Sequence, residues 1–145
     1  FRIVFSLLYR ELQQLPILHT GSSLQAAHLE QQDRMAHAVQ KAEEYIKRNL
    51  RDPLSIDKVA RYVYMSRTVF TAQFHTKTGK SFTRYVQDLR FDAACTFLRE
   101  GDLGIHHVAA AVGLKPDRMR VLFQEREGVS PLEYRRRCRR ASSER

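Results

Sequence analysis

Residues Leu54–Tyr85 read LSIDKVARYVYMSRTVFTAQFHTKTGKSFTRY, and residues Leu103–Tyr134 read LGIHHVAAAVGLKPDRMRVLFQEREGVSPLEY. Shifted by 49 residues, the two stretches align without a gap over 32 positions. Nine pairs are identical: Leu54/Leu103, Ile56/Ile105, Val59/Val108, Ala60/Ala109, Val63/Val112, Phe74/Phe123, Gly79/Gly128, Ser81/Ser130 and Tyr85/Tyr134. That share is far above what unrelated sequences give, so one small unit occurs twice. A solenoid normally needs about three repeats or more, so two copies point elsewhere.

Each copy reads as two helices around a short turn. Ser55 is a good N-cap for a helix carrying Ile56, Val59, Ala60 and Val63. A turn follows at Tyr64-Met65, and Ser66 caps the helix Arg67–Thr78, which Gly79 ends by a left-handed exit. The second copy gives a helix at Ile105–Val112, a turn at Gly113-Leu114, a helix at Pro116–Glu127 and the exit Gly128. A short helix, a tight turn and a second helix make a helix-turn-helix. Ala60 and Ala109 are small where the helices cross. Ile56, Val59 and Val63 are expected to face Phe70 and Phe74, and Ile105, Val108 and Val112 to face Met119 and Phe123.

Between the copies, Ser81 caps a long helix to Glu100, with Tyr85, Leu89, Ala93, Phe97 and neighbouring apolar residues expected on its buried side and Gly101 at its end. Ser130-Pro131 opens a last helix with an N-cap followed by proline at the first helical position. Upstream, Phe1–Leu15 reads as an amphipathic helix with Phe1, Val4, Phe5, Leu8, Leu12 and Leu15 on one face, widened by Ile3 and Leu7. So wide a stripe calls for burial by a parent domain alone, or by that domain and a second copy. Pro16 is expected to end it, Thr20–Ser23 to form a loop and Leu24–Gln32 a polar tether. A further helix, capped by Asp33, runs to Leu50 on Met35, Ala38, Val39, Ala42 and Ile46, and Asp52-Pro53 stops it. No alternating strand pattern of useful length occurs. The fold class is therefore all-α: two helix-turn-helix subdomains joined by a long central helix and preceded by an N-terminal amphipathic helix. Residues 1–32 are expected to be the end of an upstream domain with its linker, and residues 33–145 a second domain.

Composition bounds the partner. The 145 residues fit one or two small domains, and 43% apolar content supports a core. Arg10, Glu11 and Pro16 interrupt the most apolar stretch, so no membrane span is expected. The chain opens on Phe1 and is read as part of a longer protein. Lys and Arg number 25 against 16 Asp and Glu, a net charge of +9 that favours a polyanionic partner. Arg135, Arg136, Arg137, Arg139 and Arg140 supply much of that excess, and a plain basic tail is the alternative. Cys95 and Cys138 are too far apart for a metal motif. Cys95, among Ala94, Phe97 and Leu98, reads as an inert core residue. The adjacent His106 and His107 fall on different helix faces, which argues against a metal site.

The outer face of each second helix is the candidate site. In the first copy it offers Arg67, Thr68, Thr71, Ala72 and His75; in the second, Asp117, Arg118, Arg120, Val121 and Gln124. Arg can take guanine bidentately, Gln can take adenine, and Thr methyl, Ala or Val can rest on a thymine methyl. A solvated polar face is the plainer alternative for any one of them. Ser66, Ser81 and Ser130 at helix starts, with Arg84, are candidate phosphate contacts, since free N–H groups there suit phosphate oxygens. Capping alone explains each serine equally well.

These residues resemble the DNA-binding domain of AraC/XylS-type transcriptional regulators. The resemblance is carried by Pro53-Leu54-Ser55-Ile56, Val59-Ala60, Met65-Ser66, Phe74, Gly79, Ser81, Tyr85, Leu89-Arg90, Ala93, Asp102-Leu103, Ile105, Val108-Ala109, Val112-Gly113, Phe123, and Gly128-Val129-Ser130-Pro131 with Tyr134-Arg135. It covers about residues 33–140. It implies recognition helices entering successive major-groove segments of double-stranded DNA, with RNA polymerase as a candidate further partner. It implies no enzymatic activity and no cofactor in this stretch. A sensor domain upstream would bind an effector that the sequence does not name, and the homodimer would form through that domain and the Phe1–Leu15 helix. The location implied is the bacterial cytoplasm, on the nucleoid.

Three departures stand out. Ala72 and Val121 occupy mid-helix positions where such families often carry Arg, which shifts expected base readout to Arg67, Arg118 and Arg120. The second turn looks one residue short, which is expected to rotate or shorten the start of its recognition helix. Tyr64 stands where the first turn often has Gly, so that turn is expected to be built differently. Two rivals remain open. One is a degenerate domain that mainly binds a protein, with weak non-specific DNA affinity. The other is an enzyme with an appended DNA-binding module, as in some alkylation-repair proteins, whose chemistry would lie upstream of Phe1.

Overall fold

The computed structural model describes residues 16–145, with side chains described from residue 21 onward. The expected Phe1–Leu15 helix lies outside the described residues. All regular elements among the described residues are helical: α1 Pro16–Arg48, α2 Ile56–Tyr62, α3 Arg67–Thr78, α4 Phe82–Glu100, α5 Ile105–Ala111, α6 Pro116–Glu127 and α7 Pro131–Ser143. Compact packing divides the chain between Ala38 and Val39, and residues 39–145 hold both helix-turn-helix units.

Three local expectations fail in α1. Thr20–Ser23 is not a loop, Leu24–Gln32 is not an extended tether, and Asp33 caps nothing, because all lie inside one helix. Leu, Gln, Ala and Glu dominate residues 24–32 and favour helix. The cost of one exposed Gly21, about 1 kcal/mol, is too small to stop it. Val39, Ala42 and Ile46 are buried as their spacing predicts.

The first unit closes on aromatic rings. Phe74 packs edge-on against Tyr85 at 5.0 Å and against Phe82 at 6.0 Å, and Phe70 lies 5.3 Å from Phe74. In the second unit Val108, Ala109, Val112, Met119, Leu122 and Phe123 pack with Phe91, Ala94, Cys95 and Leu98 of α4, and Ile105 and Tyr134 close the edge. The facing residues read from the second copy are thus packed together.

Helix α4 buries the neighbouring apolar residues more deeply than the four named for it, and of those four only Phe97 is exposed. Its buried residues are Phe82, Val86, Phe91, Ala94, Cys95 and Leu98, while Tyr85, Leu89 and Ala93 are half-buried and Phe97 is exposed. At about 100° per residue, Phe82 and Val86 lie largely opposite the later four. One half of the helix serves the first unit and the other half the second, so no single stripe runs its length.

The two turns are built alike, against expectation. Val63 and Val112 share a bridge conformation (φ −98, ψ 14 and φ −101, ψ 4), and the next residue is left-handed in each, Tyr64 at φ 57 and Gly113 at φ 73. Met65 N–H donates to the Ala60 carbonyl and Leu114 N–H to the Ala109 carbonyl, both at 2.9 Å. The second helix of each copy then runs 12 residues, so the later one is not shortened.

The residues at the left-handed position differ for a packing reason. A Cβ on Gly113 would lie 2.5 Å from the Leu50 carbonyl oxygen and 2.8 Å from that of Arg51. Tyr64 is 98% exposed, so its side chain meets no such wall and the first turn tolerates the strain. In denaturant unfolding, Tyr64→Gly is expected to stabilise by about 1 kcal/mol through relief of the left-handed penalty. Gly113→Ala is expected to destabilise by more than about 2 kcal/mol, because both the φ and the neighbouring backbone oppose it.

Candidate nucleic-acid interface

Helix α3 is capped at both ends, and α6 shares its left-handed glycine exit. The Ser66 hydroxyl accepts from Val69 N–H at 3.3 Å, and Gly79 exits at φ 70. Helix α6 has Pro116 in its first turn, no side-chain cap on Lys115, and Gly128 at φ 68. Ser81 and Ser130 cap α4 and α7, accepting from Arg84 N–H and Glu133 N–H at 3.2 Å each. The capping geometry expected of the three serines is therefore formed.

Phe70 and Phe74 of α3 point inward, as do Met119, Leu122 and Phe123 of α6. The opposite faces lie open. Arg67, Thr68, Thr71, Ala72 and His75 are all exposed, as are Asp117, Arg118, Arg120, Val121 and Gln124. Ser66, Ser81, Arg84 and Ser130 are exposed too. Each set of five thus shares the outer side of one helix.

Local contacts distinguish residues within these faces. Arg67 donates to the Asp57 carboxylate of α2 at 3.1 Å, an exposed ion pair that partly offsets its charge. The Thr71 hydroxyl is turned back onto the Arg67 carbonyl at 2.7 Å, leaving its methyl outward. Gln124 Nε2 donates to the Gly128 carbonyl at 3.2 Å. Arg84 pairs with Asp88 at 3.2 Å. Arg118 borders a cleft of about 250 Å³ between the units, lined also by Leu54, Phe82, Val86, Gln87 and Leu114.

Two anchoring groups were not found by sequence reasoning. Arg90 of α4 donates to the Leu50 carbonyl at 3.1 Å and the Asp52 carbonyl at 2.9 Å, holding the turn after α1. Asp88 receives Lys80 at 2.7 Å and Arg126 at 2.5 Å. The Arg126 guanidinium also lies 4.8 Å above the Phe91 ring. Single-sequence periodicity carries no sign of such pairs; only the placement of a charge on a helix with little exposed surface hints at them.

Burial raises the Asp88 pKa, but hydrogen bonds from Lys80 and Arg126 and their charges overcome this and hold it below the usual carboxylate value. Burial likewise pushes the Tyr85 hydroxyl up to about 12, reinforced by Glu43, which accepts from it at 3.1 Å. The Cys95 thiol is pushed up by burial and stays protonated, as an inert core residue should. Among the described residues no cluster of three His, Cys, Asp or Glu is placed to hold a metal, and no helix is long and apolar enough to cross a membrane.

The lowered Asp88 pKa carries a sign. A carboxylate with a depressed folded-state pKa adds stability above its unfolded value, near 3.9, and loses it as pH falls through the lower folded value. The thermal midpoint is expected to fall on acidification below about pH 4, and Asp88→Asn is expected to flatten that part of the curve, read by circular dichroism at stepped pH.

A family described as a helix-turn-helix domain matches residues 59–137. The chain is 28% identical over 87 residues to the HTH-type transcriptional regulator YfiF of Bacillus subtilis, covering 60% of this chain and 28% of that protein. It is 27% identical over 96 residues to the MmsAB operon regulatory protein of Pseudomonas aeruginosa, covering 66% and 31%. It therefore spans about a third or less of these relatives' length. Among solved structures it resembles the C-terminal domain of AraT, a response regulator from Geobacillus stearothermophilus, at a TM-score of 0.65 and 28% identity over 68% of this chain and 84% of that one. It also resembles the DNA-binding domain of AdpA, a global transcriptional factor solved with a target DNA, at 0.68 and 25% over 71% and 94%.

Proposed function

The chain belongs to the helix-turn-helix domain family of AraC type, and we propose that it is a sequence-specific transcriptional regulator that binds double-stranded DNA. Its two recognition helices enter successive major-groove segments. The observation that carries this reading is the pair of matched helices, α3 and α6, each with a buried aromatic side and an open face. The fold it shares with the AdpA domain solved on its target DNA supports it.

On this reading the outward residues of α3 and α6 face bases, while Ser66, Ser81, Arg84 and Ser130 lie toward phosphates. The chain has no enzymatic role and needs no cofactor in this region. In the whole protein, residues upstream supply effector sensing and homodimer contacts, RNA polymerase is the further partner, and the site of action is the nucleoid in the bacterial cytoplasm.

Selection of bound duplexes from a random pool, followed by footprinting, tests the reading. A tight, strongly salt-dependent complex on the selected duplex is expected, with much weaker binding to random duplex. Equal affinity for both at physiological salt would overturn it in favour of a protein-binding domain.

Arg118→Ala and Arg120→Ala separate base from phosphate contacts. Each is expected to cost about 1–3 kcal/mol on the selected duplex, with a smaller loss on random duplex, measured by fluorescence anisotropy. Equal losses on both would make these arginines phosphate contacts only.

A further inference from the structure

We propose that Asp88 is a positioning residue for two-segment DNA recognition, fixing the angle between the two recognition helices. The inference rests on the DNA-binding reading above. Asp88 lies in the first half of α4, a helix packed into both units. Its side chain is only 16% exposed, yet it faces three cations.

Each cation comes from a different place. Lys80 follows the exit glycine of α3, and its Nζ donates to Oδ2 at 2.7 Å. Arg126 occupies the last turn of α6, and its guanidinium donates to Oδ1 at 2.5 Å. Arg84, one turn earlier on α4, sits 3.2 Å from the same oxygen. One carboxylate thus ties the end of the first recognition helix to the end of the second. The Arg126 guanidinium carbon also lies 4.8 Å over the Phe91 ring.

An isolated exposed ion pair would be too weak for this role, but a largely buried group shared by three cations is a network. Removing it leaves Lys80, Arg84 and Arg126 mutually repelling at the junction while the apolar packing of α4 still holds both units, so the angle between them loosens. Two-segment binding gains from the second contact only when both helices meet the duplex in register, a gain on the order of 10²–10⁴ in affinity.

The test uses a selected duplex carrying both segments, the same duplex with one segment randomised, and a fully random duplex. Wild type should prefer the intact duplex over the half-randomised one by roughly 100-fold or more. Asp88→Asn should keep its affinity for the half-randomised duplex within about threefold, lose about tenfold or more of the preference, and tolerate a base pair inserted between the segments. Asp88→Glu should restore most of the preference and the intolerance of the insertion.

Charge alone predicts the opposite sign. Loss of a carboxylate raises the net positive charge, which would strengthen binding to every duplex. An Asp88→Asn protein with the wild-type preference and spacing requirement would overturn the inference while leaving DNA recognition intact. Wild type that fails to distinguish the selected duplex from the random one would overturn the DNA reading itself, and this inference with it. Should Asp88→Asn not fold, Arg126→Gln keeps the carboxylate paired with Lys80 and Arg84. It should show the same lost preference; a wild-type ratio there would overturn the proposal.

Discussion

The arrangement of this molecule depends on α4 being buried from two sides. Phe82 packs against Phe70 and Phe74 of the first unit, and Phe91, Ala94, Cys95 and Leu98 belong to the core of the second. A helix is stiff over 19 residues, so a side chain in one unit has its orientation transmitted to the other. Polar groups on α4 then close the remaining freedom. Arg90 holds the turn at residues 50–52, and Asp88 holds Lys80 and Arg126. Gly113 completes the joint by letting the second turn lie against the backbone of Leu50 and Arg51.

Much of this was legible in the sequence because the repeat supplied its own control. Two copies with the same apolar spacing, exit glycine and capping serine fixed α2, α3, α5 and α6 to within a residue or so, and the outer faces followed from the inner ones. Elements outside the repeat were harder. In α1 the polar residues 21–34 have no packing periodicity, and the resulting helix is exposed there; pattern reading took lack of amphipathicity for lack of helix. In α4 a single stripe through Phe97 is expected but does not form, because a helix that changes its buried side halfway defeats any single period.

The turn at Tyr64 shows the limit of arguing from a residue's preference alone. A tyrosine at positive φ is costly, which suggested a different turn. The hydrogen bonds from Met65 to Ala60 and from Tyr64 to Arg61 match those of the second copy, and the cores beneath demand the same helix crossing. Packing of Val59, Ala60 and Val63 against α3 involves more free energy than the roughly 1–2 kcal/mol at stake in one dihedral. Tertiary demand therefore sets the backbone, and the side chain is tolerated because it projects into open solvent.

The distribution of charge alters what a net +9 means. Several arginines serve the scaffold: Arg90 and Arg126 as above, Arg135 with only 8% of its surface exposed and donating to the Leu103 carbonyl, and Arg139 paired with Asp102. The run near the C-terminus is thus partly a brace clasping residues 101–103 rather than a solvated basic tail. On the recognition faces the balance is unequal. Arg67 of α3 is matched by Asp57, leaving Thr68, Ala72 and the Thr71 methyl as its outward neighbours. Helix α6 presents Arg118 and Arg120 beside Asp117. Bound to DNA, the first helix would read mainly by shape and apolar contact with thymine methyls, and the second by charged and hydrogen-bonded contact. On the proposed DNA-binding reading, the repeated scaffold would present two unlike faces, and the segment each one recognises should differ in composition as well as in sequence.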